Sequence, residues 1–201
     1  MRSPASLVLA ALWLAWCAYW LISARNVKVT RRRESPGSRA LHIGPMFFAA
    51  VLMAVPQLPI GWLNGRFVPA TAPIHALGVI LVAAGLGFAV WARVHLGRNW
   101  SGDITLKQEH ELVRSGPYAL ARHPIYSGML VAMLGTAIAI GQWRGLVAFA
   151  FFAAAVLRRV SVEERWMGEI FPDAYARYRR EVPALIPFPP YWRYRGEPHE
   201  Q

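Results

Sequence analysis

Residues 125–157, IYSGMLVAMLGTAIAIGQWRGLVAFAFFAAAVL, decide the fold of this chain. The segment holds two apolar runs, 125–140 and 145–157, and only the four residues 141–144 (GQWR) separate them. Such a short break between two apolar runs predicts two helices that turn back on each other as a tight hairpin.

The rest of the chain is equally apolar. Three further apolar runs, 5–24, 43–63 and 74–96, precede the hairpin. Each is close to the roughly 20 residues that a membrane-spanning helix needs, and the first is longer than the apolar core of a signal peptide. Of the 201 residues, 55% are hydrophobic and 16% are charged, against roughly 25% charged in soluble domains. We therefore predict an all-α integral membrane protein with about five transmembrane helices.

Basic residues are distributed unevenly along the chain. All but three of the 22 Lys and Arg residues lie in the first loop (from residue 25 to 39), around the third loop (93 to 122) or in the C-terminal tail (158 to 195). The exceptions are Arg2, Arg66 and Arg144. Five spans place these three segments on one side, and the positive-inside rule makes that side cytoplasmic. We expect the N-terminus outside, a cytoplasmic C-terminal helical tail, and a multi-pass protein of the bacterial inner membrane.

The same distribution accounts for the net charge of +11, so no nucleic-acid partner is expected. The single cysteine, Cys17, excludes an internal disulfide and a cysteine-rich zinc or iron–sulfur site, and no metal site is predicted. Gly78, Gly85 and Gly87 in the third run predict close contacts between helices, but they leave the oligomeric state open.

Two polar segments flank the hairpin. Pro124 suits the first position of a helix, which places His123 at the helix entrance beside free backbone N–H groups. After the hairpin the helix is expected to continue, and 163 to about 180 to be helical, with Arg159 and Glu163 on one face. Arg, His and Tyr at a helix end are also typical of a simple interfacial anchor. The adjacent acids Glu163 and Glu164 add nothing to such an anchor and indicate a functional site.

The residues carry a family resemblance. LVRSGPY (112–118), RHPIYSG (122–128), the acids 163–164, FPDAYARY (171–178) and Val182-Pro183 follow one another in order. Together they resemble the isoprenylcysteine carboxyl methyltransferase family, and phospholipid N-methyltransferases share much of the pattern. The resemblance covers about residues 95–188. The family often has a glycine after the tail phenylalanine, where this chain has Pro172.

The resemblance implies an integral membrane methyltransferase that uses S-adenosylmethionine, bound under the hairpin and closed over by the tail. The implied cofactor-binding residues are His110, Glu111, Leu112, Val113, Tyr118, His123, Pro124, Tyr126 and Glu163. Arg159 and Glu164 are the implied catalytic residues, with Arg159 beside the acceptor, and a one-residue shift in alignment would exchange the roles of Glu163 and Glu164. The acceptor is expected to be a lipophilic, lipid-like molecule from the bilayer, such as an isoprenylcysteine-like carboxylate.

The expected organisation is an N-terminal three-helix transmembrane region, 1–95, and a methyltransferase region, 96–201. Two other functions remain open. Membrane sterol reductases have a similar His/Tyr and tail pattern and use NADPH. A non-enzymatic membrane protein that binds lipid or a partner would need no cofactor pocket.

Overall fold

The structure, a computed structural model, describes residues 4–23, 30–33, 35–55, 57–97, 105–107 and 112–186, of which 30–33 and 105–107 are described as backbone. Within these ranges the chain forms six α-helices: α1 (Pro4–Ser23), α2 (Pro36–Ala54), α3 (Ala72–Leu96), α4 (Pro124–Ile140), α5 (Trp143–Ile170) and α6 (Pro172–Glu181). Two short strands, β1 (Thr30–Arg33) and β2 (Thr105–Lys107), pair in antiparallel fashion. Short 3₁₀ helices cover Gly61–Asn64 and Gly116–Ala119.

The helix pattern confirms an all-α integral membrane protein. In the described part of the chain, α1, α2, α3 and α5 are long and apolar enough to cross a membrane. The fifth apolar helix, α4, has 17 residues, which is the lower end of the spanning range of about 17–25. Large apolar side chains such as Leu14 and Leu21 on α1 are 70% and 73% exposed, as expected of a surface that faces lipid.

The second helix differs from its apolar run. It begins at Pro36, seven residues before residue 43, because Ser35 caps it and accepts a hydrogen bond from the backbone N–H of Ser38 at 3.3 Å. It ends at Ala54, because Val55, which precedes Pro56 in the sequence, has extended backbone at ψ 123°, and the end of the run forms the 3₁₀ helix. Proline has no N–H to continue a helix, which explains why the helix is shorter than the run at this end.

The tail also departs from the prediction. Helix α5 continues past its apolar run as expected, to Ile170, but Phe171 leaves helical geometry at φ −126°. A separate helix, α6, begins at Pro172. The helix expected from 163 to about 180 is therefore confirmed except for a break at Phe171, because proline favours the first turn of a helix and interrupts one that is under way.

Contacts between loops identify the two ends of the bundle. At one end, Arg93 Nη2 donates to the carbonyl of Ser23 at 2.7 Å, which joins the ends of α3 and α1. The pairing of β1 with β2 brings the first and third loops to this same end. At the other end, the turn between α4 and α5 bonds the 65–67 segment, where Trp143 N donates to Gly65 O at 3.0 Å. The two basic loops therefore share one end.

Helices α3 and α4 pack at very short range. A Cβ on Gly85 would lie 2.5 Å from the carbonyl oxygen of Gly128, and one on Gly78 would lie 2.7 Å from that of Gly135. Glycine at these positions lets the two backbones touch. Gly87 faces open space, so the predicted close contact holds for Gly78 and Gly85 and is wrong for Gly87. Helix α5 packs against α2 through a buried apolar core.

Candidate active site

The entrance of α4 has the predicted form. His123 is the N-cap residue, Pro124 opens the helix and is almost completely buried, and Tyr126 lies in its first turn. The turn that leads to this entrance contains Gly116 at φ +58°, in the left-handed region that favours glycine. Its position also leaves room for the His95 ring, which a Cβ would meet at 2.7 Å.

A polar cluster, which we define as His123, Tyr126, Arg159 and Glu163, forms where this entrance meets α5. The Tyr126 hydroxyl donates to Glu163 Oε1 at 2.7 Å. Arg159 Nε donates to the same oxygen at 3.2 Å and to the Tyr126 hydroxyl. The Arg159 guanidinium carbon also lies 5.6 Å from the centre of the Tyr126 ring, within range of a cation–π contact. The carboxylate is thus held from both helices.

His123 lies between two carboxylates. Its Nδ1 is 3.4 Å from Glu163 Oε2, and its Nε2 is 3.4 Å from Glu164 Oε1. Burial lowers the pKa of His123, but the contacts with Glu163 and Glu164 outweigh it, so the pKa of this imidazole is raised above its usual value. The protonated form is favoured because it balances negative charge in the site.

Glu164 faces a different set of partners. Arg122 donates to its Oε1 from Nε at 2.8 Å and also from Nη2. Arg179 Nε on α6 lies 3.6 Å from its Oε2. Arg122 Nη1 donates to the carbonyls of Val182 and, at 3.3 Å, Arg179. Glu164 therefore joins the α4 entrance to α6, whereas the neighbouring Glu163 belongs to the polar cluster.

The segment after α6 lies along the α4 entrance. The backbone N–H groups of Arg122 and His123 donate to the carbonyls of Pro183 and Ala184, both at 2.9 Å. Ile186 N donates to Ser127 Oγ at 3.0 Å. The two N–H groups of the entrance thus hold the tail, which closes over this end of the hairpin.

The 112–118 segment fills the space between α3, α6 and the hairpin. Leu112 packs against Tyr175, Tyr178 and Val182, and Val113 packs against α3. The Tyr118 carbonyl accepts the Tyr178 hydroxyl at 2.5 Å. Burial, followed by the nearby charge of Glu163, raises the pKa of the Tyr118 phenol. His110 and Glu111 lie outside the described residues.

A family model accounts for the region that carries these contacts. Residues 73–174, about half of the chain, match the model described as phospholipid methyltransferase. The chain belongs to the phospholipid methyltransferase family. The matched region includes all of α3 but its first residue, the α4–α5 hairpin and all four residues of the polar cluster.

Several curated proteins are similar to this member of the family. The chain is 35% identical over 106 residues to a protein-S-isoprenylcysteine O-methyltransferase of Schizosaccharomyces pombe, a match that covers 49% of the chain and 43% of that relative. It is 28% identical over 156 residues to protein-S-isoprenylcysteine O-methyltransferase B of Arabidopsis thaliana, covering 74% of the chain and 72% of the relative. The cobalt-zinc-cadmium resistance protein CzcN of Cupriavidus metallidurans is 38% identical over 108 residues, covering 51% of the chain and 47% of the relative. The match spans less than half of the first and third of these relatives. The first two relatives confirm the resemblance to the isoprenylcysteine enzymes.

Two residues of the site were not among the predicted ones. Arg122 pairs with Glu164, and its signal in the sequence was the Arg-His-Pro triplet at the α4 entrance. His42 on α2 is 1% exposed, and its Nε2 lies 3.5 Å from Arg159 Nη1. The signal for His42 was a histidine directly before an apolar run, where an ionisable residue often has a functional partner.

Proposed function

We propose that this protein is an integral membrane methyltransferase that transfers the methyl group of S-adenosylmethionine to a lipophilic acceptor from the bilayer. The main support is the position of the Glu163 carboxylate, which is held between Tyr126 and Arg159 inside the matched family region. Relatives named as O-methyltransferases favour methyl transfer over NADPH-dependent reduction.

The groups in the site fit the methyl donor. S-adenosylmethionine carries an ammonium group, a carboxylate and a positively charged sulfur. The Glu163 side chain is 24% exposed, against 11% for Arg159 and 8% for His123, so it is the most accessible of these three charged groups. Its Oε1 holds two donors, while Oε2 contacts His123 at 3.4 Å and retains capacity to accept from an ammonium group.

One aromatic side chain, Tyr126, contacts that carboxylate, and a second, Tyr118, lies within reach of its charge. Tyr126 stacks with His123 at 6.0 Å, and Tyr118 is buried beside α3. An aromatic face attracts a nearby cation, so Tyr126 and Tyr118 suit the sulfonium and the adenine. Leu112, Val113 and Pro124 would complete the walls of this pocket, and His110 and Glu111 remain predicted members of it.

We assign different roles to the two glutamates. Glu163 would bind the cofactor, because it is the acid that lies in the polar cluster. Glu164 would hold the tail over the site, because Arg122 and Arg179 both contact its carboxylate. Glu164 would then affect catalysis indirectly, by keeping the tail closed over the site.

The proposed reaction depends mainly on placement. Bound S-adenosylmethionine supplies a methyl group on a positively charged sulfur. Arg159 would hold an anionic acceptor, such as an isoprenylcysteine-like carboxylate, in line with that methyl group. Glu163 would hold the donor by its ammonium group, and the donor would supply its methyl group to the acceptor oxygen and leave as the neutral thioether. Positioning of this kind contributes up to about 7–11 kcal/mol in favourable cases, and an acceptor that is already an anion needs no base.

The proposed location follows from charge. The polar cluster lies at the end of the bundle that carries the basic loops, as the contact between Arg159 and the first part of α2 indicates. The positive-inside rule assigns this end to the cytoplasm, where a soluble cofactor is available. In a bacterial cell the site would face the cytoplasm from the inner membrane.

Cofactor binding tests the proposal. Isothermal titration of the detergent-purified protein with S-adenosylmethionine should show saturable binding. Glu163→Gln should weaken it by on the order of tenfold or more, because a charge-assisted hydrogen bond is lost. Glu169→Gln, at an exposed position of the same helix, should bind like the wild type. Absence of both heat and thermal stabilisation at millimolar ligand would overturn the proposal.

A further inference from the structure

A buried histidine from the N-terminal part of the chain reaches the candidate site. His42 lies on α2, is 1% exposed, and places its Nε2 3.5 Å from Arg159 Nη1. The matched family region begins only at residue 73. This contact therefore comes from a part of the chain to which neither the family match nor the sequence motifs assign a role.

The hydrogen bond between these two groups can have only one direction. A guanidinium group carries donors only, so the partner nitrogen of His42 must accept. An imidazolium would have no lone pair to offer, and two buried cations at this distance would repel each other. The contact therefore requires a neutral His42, with its proton on Nδ1 and the Nε2 lone pair toward Arg159.

The position of the contact on Arg159 matters more than its strength. Nε on one side of the guanidinium donates to Tyr126 and Glu163. Nη1 faces His42 on α2. Because the guanidinium is planar, contacts at two of its nitrogens fix the orientation of the whole plane, and with it the directions in which the group donates.

We propose that His42 is a positioning residue, which sets the guanidinium plane of Arg159 and so makes α2 part of the acceptor side of the active site. The inference rests on the proposed function, since it concerns the group that would hold the acceptor. It gives the N-terminal region a part in the reaction beyond that of a membrane anchor.

A second polar contact between the same helices supplies a matched control. Arg158 Nη2 donates to Ser38 Oγ at 3.0 Å, one turn before His42 on α2. Loss of this bond perturbs the α2–α5 interface without touching the polar cluster. Ser38→Ala therefore reports what a merely structural change does, whereas His42→Leu removes the acceptor atom that faces Arg159.

The test compares wild type, His42→Leu, His42→Gln and Ser38→Ala in three measurements. The first is S-adenosylmethionine affinity by titration. The second is methyl transfer to N-acetyl-S-farnesylcysteine, a lipophilic carboxylate probe, with kcat and KM resolved. The third is the arginine side-chain 15N signal of Arg159, assigned by its loss in Arg159→Lys. Thermal unfolding of each variant reports whether it is folded.

We expect the cofactor affinity of His42→Leu to stay within about twofold of that of the wild type, and its rate of methyl transfer to fall on the order of tenfold or more. Its Arg159 signals should show freer rotation of the guanidinium group. His42→Gln should recover most of the transfer, because the amide oxygen also accepts, and Ser38→Ala should resemble wild type. An unchanged Arg159 signal, or full transfer, in His42→Leu overturns the inference. Absence of cofactor binding by the wild type overturns the proposed function itself. The Arg159 signal tests the His42 contact separately, because it needs neither cofactor nor acceptor.

Discussion

His123 is the residue whose charge depends most directly on its neighbours. Its two ring nitrogens face Glu163 and Glu164, each at 3.4 Å, and its side chain is 8% exposed. The pKa of His123 is raised above its ordinary 6.5, with the acids outweighing burial. A raised folded-state pKa stabilises the fold fully below the unfolded pKa, and this stabilisation is lost as pH rises through the folded pKa.

The pH dependence of stability tests this balance. The difference in thermal stability between wild type and His123→Gln should be largest below about pH 6.5 and should shrink as pH rises through the raised pKa. Thermal unfolding in detergent from about pH 5 to 9 measures the difference. Repeating the series in a Glu163→Gln background should move the loss to lower pH, since one acid is gone. A difference that grows with pH would contradict the assignment.

Residue-level prediction from the sequence succeeds where partners are close along the chain. The contact between Arg159 and Glu163 follows from their spacing of four on one helix, and the place of His123 follows from Pro124. The partners of Arg122 and His42 are 42 and 117 residues away. Helical spacing carries no information over such separations, because packing between helices decides which residues meet.

At the level of elements, apolar runs predict the number of helices better than their ends. Five runs became five helices, but the start of α2 depends on the Ser35 cap and the break after α5 depends on Pro172. These ends are set by local backbone chemistry that hydropathy does not report. The pairing of β1 with β2 joins two segments without an apolar alternation, so no strand pattern predicted it.

The α3–α4 contact offers a test with an internal control. Gly85→Ala places a Cβ 2.5 Å from Gly128 O and 2.6 Å from Ala132 N, so the helices must separate. We expect a loss of about 1–3 kcal/mol in the free energy of unfolding. Gly87→Ala, two residues along the same helix with nothing within 4 Å, should leave stability equal or slightly higher, because alanine favours helix.

Unfolding in detergent, followed by near-ultraviolet circular dichroism, compares the two glycine variants. Equal melting temperatures would mean that α3 and α4 do not touch at Gly85. A loss of stability confined to Gly85→Ala would instead indicate that the packing of α3 against α4 holds the α4 entrance in place. The entrance positions His123 and Tyr126, so methyl transfer should fall together with stability in that variant.

At the scale of the whole molecule, the charged loops and the candidate site occupy the same end of the bundle. Arg93 joins this end of α3 to Ser23 at the end of α1, while the 65–67 segment bonds the α4–α5 turn at the other end. A cofactor from water and an acceptor from the bilayer can meet only at such an interface. His42 on α2 lies outside the matched region and contacts Arg159, so the proposed acceptor side of the site would include one helix from the N-terminal part of the chain.

Accessibility of single cysteines to a membrane-impermeant maleimide tests the orientation in the full chain. In a Cys17→Ser background, Ala70→Cys lies in the exposed segment before α3, and Glu169→Cys lies near the end of α5, on the side of the polar cluster. We expect Ala70→Cys to be labelled in intact bacterial cells and Glu169→Cys only after permeabilisation, because translocation of the Arg-rich loops is unfavourable. Cys17→Ser alone should remain unlabelled. The reverse pattern would place the site on the side of the membrane that lacks soluble cofactor. Labelling of both positions in intact cells would contradict an odd number of spans between residues 70 and 169.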